Sequence, residues 1–77
     1  MTKEQFLKLK SIETFLYALA IEGHDPHPHR NSLGELELIR MEIEPGTKPT
    51  DFNCNSCASS MIKRMYNLFK ANENTFI

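Results

Sequence analysis

Two cysteines and three histidines are the residues of this chain whose types and spacing could do chemistry. Cys54 and Cys57 form a C-x-x-C, and His24, His27 and His29 crowd into the segment HDPHPHRN at residues 24–31. Thiolate and imidazole are the usual protein ligands of zinc, so Cys54, Cys57 and two of the three histidines could close a tetrahedral site. Such a site would add the stability that a chain of 77 residues often lacks. Its spacing, H-x-x-H-x-H ahead of C-x-x-C, fits no standard zinc finger. Zinc is therefore the alternative reading, and the main expectation is a chain without a cofactor.

The cysteines carry two further readings. At a helix N-terminus the free amides and the helix dipole favour thiolate. A C-x-x-C placed there resembles the redox motif of thioredoxin-like proteins, which implies a reversible disulfide. That resemblance covers residues 54–57 alone, without the surrounding βαβ unit and with Asn55-Ser56 where that family commonly has a proline. Two cysteines this close are also no framework of secreted disulfides. The preferred reading is the plainest one. Cys54 and Cys57 stand in it as small, buried apolar residues on a helix face.

That helix is the clearest element in the chain. Over residues 53–70, Cys54, Cys57, Ala58, Met61, Ile62, Met65, Leu68 and Phe69 fall within an arc of about 140° at helical spacing. Ser56, Ser59, Ser60, Lys63, Asn67 and Lys70 occupy the other side. Asp51 or Asn53 is the expected cap, and residues 71–77 lose the periodicity and read as a frayed tail.

A first helix is expected over residues 3–22. Thr2 with Gln5 makes a capping box, and Gly23 is a natural terminator. Leu9, Ile12, Phe15, Leu16, Leu19 and Ala20 share a face, while Leu7, Tyr17, Ala18 and Ile21 point elsewhere. Pro26 and Pro28 exclude helix in the following loop. Residues 33–44 suit a helix with Leu33, Leu36, Ile39 and Ile43 on one face. A strand pairing Ile39, Met41 and Ile43 is the competing reading, and it has no β-rich partner segment. Pro45-Gly46 ends the element. The expectation is an all-α fold of three helices in a single small domain.

Composition narrows the function. A net charge of −1 gives no general footprint for nucleic acid. Lys63, Arg64 and Lys70 form the basic stretch of the last helix, for which a solvated surface is the preferred reading. As nucleic-acid contacts they belong to the zinc alternative, a zinc-stapled domain with a nucleic-acid or transcription-associated role. The four glutamates of residues 35–44 against Arg40 make a local net charge of −3. The apolar run at residues 15–21 is too short for a membrane span and is bracketed by Glu13 and Glu22, unlike a secretory core. A cytoplasmic protein is expected, with nothing removed ahead of Met1.

No enzyme motif emerges. Gly23, Gly34 and Gly46 are scattered rather than forming a phosphate loop, and no serine sits in a nucleophile motif. The expected function is a small helical adaptor, inhibitor or accessory subunit, of a kind also found in viruses and mobile elements. It would act on another protein or on a second copy, not on nucleic acid or a membrane. Leu7, Tyr17 and Ile21 are the candidate contact residues. One small core cannot easily cover them as well as Phe15, Leu16 and Leu19.

Overall fold

The computed structural model describes residues 1–24 and 30–76. Its helices are α1 (Lys3–Ser11), α2 (Glu13–Ala20), α3 (Arg30–Ile43) and α4 (Asn55–Phe76), with no strand among the described residues. The class is all-α, with four helices among the described residues where three were expected. The expected Pro26–Pro28 loop lies outside the described residues, and so do His27 and His29.

The extra helix comes from a break at Ile12. The capping box forms as expected: the Thr2 Oγ accepts from the Gln5 amide at 3.1 Å, and the Gln5 side chain accepts from the Thr2 amide at 3.0 Å. Nine residues later the Ser11 hydroxyl donates to the Lys8 carbonyl at 2.6 Å, a side-chain bond that competes with the helical ladder. Ile12, β-branched, adopts φ −115° and ψ 23°, and its amide turns back to Leu9. Its carbonyl then accepts from Leu16 at 2.9 Å and starts α2. Helical periodicity runs through this site, so the sequence pattern alone merged the two helices. Phe6 and Leu9 of α1 and Leu16 and Leu19 of α2 enter one core on either side of the break.

Gly23 ends α2 as expected. Its φ of +70° is open to glycine at little cost, and it lets the His24 amide reach the Ala18 carbonyl at 3.1 Å. The middle element is a helix, not a strand, and it begins at Arg30, three residues ahead of the expected start. Leu33, Leu36 and Ile39 are buried and Ile43 is partly so, which is the face that the helical reading assigned.

From α4 the core takes Ala58, Met61, Ile62, Met65 and Phe69. The tail expected to fray is helical to Phe76. Its ring lies 5.4 Å from that of Phe6, which stacks at 4.9 Å on Phe69. Packing of one aromatic residue thus outweighs a weak local pattern. α1 packs against both α3 and α4, and α2 packs mainly against α4.

Between α3 and α4 the connector is held by polar bonds instead of apolar burial. Arg40 is 2% exposed, and all its N–H directions are used. Its Nε and Nη2 donate to the Glu37 carboxylate at 2.6 and 3.1 Å, and Nη2 also reaches the Lys48 carbonyl at 3.2 Å. Nη1 donates to the Thr47 hydroxyl at 2.6 Å and to Glu44 at 3.4 Å. Glu37 accepts two more bonds, from the Thr50 amide at 2.7 Å and the Thr50 hydroxyl at 2.8 Å. Among the described residues no buried side-chain nitrogen or oxygen lacks a partner.

Burial alone would raise the Glu37 pKa. The bonds from Arg40 and Thr50 outweigh it and hold the carboxyl below its usual value. A depressed carboxylate adds stability that is complete above the ordinary value of 4.5 and fades as pH falls through the lower folded value. Glu37→Gln should therefore cost on the order of 3 kcal/mol at neutral pH, because Arg40 loses its buried counter-charge. In urea titrations the gap to the parent chain should narrow as the pH falls from 4.5 through the lower folded value. Phe76→Ala should cost about 1–2 kcal/mol, since this ring is only partly buried, where Phe69→Ala should cost about 3–5. A silent Phe76→Ala in thermal melts would restore the frayed tail.

Candidate functional site

The cysteines occupy the start of α4, and Asp51 builds the turn that leads into it. The Asp51 carboxylate accepts from the Asn53 amide at 2.9 Å, and its carbonyl accepts from the Cys54 amide at 3.1 Å. Neither Asp51 nor Asn53 caps the helix. Cys54 does: its carbonyl takes the Ala58 amide at 3.1 Å, and its Sγ accepts from the Cys57 amide at 3.2 Å. The Ser56 Oγ stands 3.4 Å from the same sulfur.

Cys54 and Cys57 are joined in a disulfide, with Cα atoms 5.2 Å apart. This corrects the preferred reading of two buried thiols. Cys57 is exposed and Cys54 only half-buried. The helix face that enters the core begins at Ala58, so the first two members of the eight-residue stripe lie beyond the packed part. The zinc alternative meets the same bond, because each sulfur is committed to the other and neither is a thiolate ligand in this state. No group of three His, Cys, Asp or Glu residues that could hold a metal occurs among the described residues. His24 is exposed past the end of α2.

Leu7, Tyr17 and Ile21, the candidate contact residues, are 50%, 45% and 56% exposed. Tyr17 and Ile21 stand one turn apart on α2. Leu7 is on α1, on the far side of the Ile12 break. Tyr17 meets Tyr66 of α4 edge-on at 6.2 Å between ring centroids. With Glu13, Thr14 and Lys70 these two rings line an open depression of about 360 Å³. The Lys70 ammonium lies 2.9 Å from Glu73 and 6.0 Å from the centre of the Tyr66 ring. Its pKa is raised, chiefly by the bond to Glu73 and also by Tyr66 and Glu13.

Sequence reasoning missed other exposed apolar side chains. Leu38 is 67% exposed, and Met41, one turn further along α3, is exposed too. Leu38 flanks a second depression, of about 260 Å³, with Lys8, Ser11, Ile12 and Glu42. At helical spacing neither residue falls on the face of Leu33, Leu36, Ile39 and Ile43, and that is the signal the sequence offers. Lys63, Arg64 and Lys70 are all exposed on α4. Arg64 pairs with Glu44 at 3.2 Å and Lys70 with Glu73, so acidic neighbours offset two of the three cations.

Compared with known proteins, the chain matches no family model, no curated protein and no solved structure. No helix among the described residues is long and apolar enough to cross a membrane.

Proposed function

We propose that this chain is a small, non-enzymatic protein–protein interaction module, and that the outer face of α2 receives a second copy of the chain. The carrying observation is the exposure of Tyr17 and Ile21 on a helix whose other side already fills the core. A surface site needs an apolar centre with a polar rim, and tyrosine is among the residues enriched at such centres. Here Tyr17 and Tyr66 form the centre, with Glu13 and Lys70 at the rim.

The charges favour a second copy over an unrelated partner. A two-fold interface requires a patch that complements itself. One carboxylate and one ammonium flanking two tyrosines meet that requirement, because rotation about the two-fold can set Glu13 of one copy against Lys70 of the other. The overall charge of −1 offers little repulsion between copies. We place the module in the cytoplasm, on the charged residues that bracket its short apolar run. An adaptor, inhibitor or accessory subunit is the class of role that suits it.

Sedimentation of the full chain at micromolar concentrations tests the reading. A dimer is expected, with about 800 Å² buried on each copy. Tyr17→Glu and Ile21→Glu should each give a monomer with unchanged far-ultraviolet circular dichroism, while Leu38→Glu at the second depression should leave the dimer intact. A monomeric parent chain at 200 μM (roughly tenfold or more above the dissociation constant of a weak dimer) would overturn self-association.

A further inference from the structure

We infer that Cys54 and Cys57 form a reversible redox site, which exchanges with a low-molecular-weight thiol and its disulfide and in which Cys57 is the sulfur attacked and Cys54 the sulfur that leaves. The inference stands on the sulfurs and their neighbours, independently of any second copy.

Three observations carry it. The first is position. The disulfide joins residues separated by only three, in the cap and first turn of one helix. A cross-link stabilises chiefly by restricting the unfolded chain, and its effect grows with the loop it closes. A loop this short restricts little, and the Ala58 amide already ties this turn to the Cys54 carbonyl at 3.1 Å. The bridge is a poor staple.

The second is access. Cys57 is exposed on the outer side of the first turn, open to an attacking thiolate, while Cys54 is half-buried against the turn that Asp51 builds. The third is the surroundings of the Cys54 sulfur. It faces two donors, the Cys57 amide at 3.2 Å and the Ser56 hydroxyl at 3.4 Å, at the positive end of the longest helix in the described chain. A disulfide sulfur accepts such bonds weakly. A thiolate accepts them as charge-assisted bonds, so the site is arranged for the ion that exists only after the bridge opens.

The exchange balances as follows. A small thiolate attacks the Cys57 sulfur, and the electron pair of the disulfide bond passes to the Cys54 sulfur, which leaves as thiolate. A good leaving thiolate speeds this step. The mixed disulfide on Cys57 is then attacked at the small molecule's sulfur by a second small thiolate. That step frees Cys57 as a thiolate, which takes a proton from water. In sum, two small thiols are oxidised to one small disulfide, and the protein disulfide is reduced by two electrons to a dithiol. In the oxidising direction, Cys54 thiolate attacks the mixed disulfide on Cys57 and expels the small thiol. The exchange is stoichiometric and makes the chain a responder to redox state.

Glutathione is the probe. The full chain is equilibrated anaerobically with reduced and oxidised glutathione over a wide range of ratios, quenched in acid, alkylated and weighed intact. The expected result is a single transition from no alkylated cysteine to two. In the Cys54→Ser chain, glutathione should accumulate on Cys57 at oxidising ratios, because only a second glutathione can then release it; serine is itself a good helix cap, so this chain should fold. The pH midpoint of alkylation should lie lower for Cys54 in Cys57→Ser than for Cys57 in Cys54→Ser. Adding Ser56→Ala to Cys57→Ser should move the Cys54 midpoint upward. A pair that stays wholly oxidised or wholly reduced at every ratio overturns the inference. So does a Cys54 midpoint equal to or above that of Cys57.

Discussion

The buried pair of Glu37 and Arg40 holds the second half of this chain in place. Between the end of α3 and the start of α4 lies a connector with two prolines and almost no apolar side chains, so burial cannot fix its path. Arg40 donates to a hydroxyl and a carbonyl of that connector, and Glu37 accepts from an amide and a second hydroxyl. Two side chains one turn apart on α3 thereby serve as the anchor of a loop that cannot anchor itself. An ion pair stripped of water gives little net stability, and its usual merit is specifying one arrangement. The merit here is register: the node decides where α4 begins, and so which of its residues reach the core.

How much of this could be read from the sequence depended on whether the determining interaction was periodic. The core faces of α3 and α4 were legible, because Leu33, Leu36 and Ile39, and Met61, Ile62, Met65 and Phe69, repeat at helical spacing. The Thr2 capping box and the Gly23 terminator were legible as local signals. Arg40 was not. It looked like a lone cation among glutamates, since its partners at Thr47 and Lys48 follow no period. The Ile12 break was hidden for a related reason: the apolar pattern continues across it, and the competing bond is one serine hydroxyl. Phe76 docks on a ring seventy residues away, which no local pattern reports.

The cysteine pair failed in a more instructive way. Its spacing puts both residues on the apolar stripe of α4, which by itself assigns them to the core. A helix projects beyond what it packs against, however, and the stripe continues past the edge of the core by one turn. Residues in that overhang keep the pattern of the buried face without its burial. Tyr17 and Ile21 on α2 are exposed, because an excess of apolar residues around a whole helix leaves some of them outside whichever side is covered.

The break at Ile12 has one more consequence. It divides what would be a single rod of about 20 residues into two short helices with separate hydrogen-bond ladders, joined through one residue. Short helices are not stable alone, and each depends on its own tertiary contacts. α1 is gripped by two helices, α2 mainly by one. The two can therefore open as independent cooperative units, with the amides of α2 exchanging with solvent at lower free energy than those of α1. The aromatic face of Tyr17 then belongs to a segment that can open apart from α1, and anything that binds there tightens α2 as it docks.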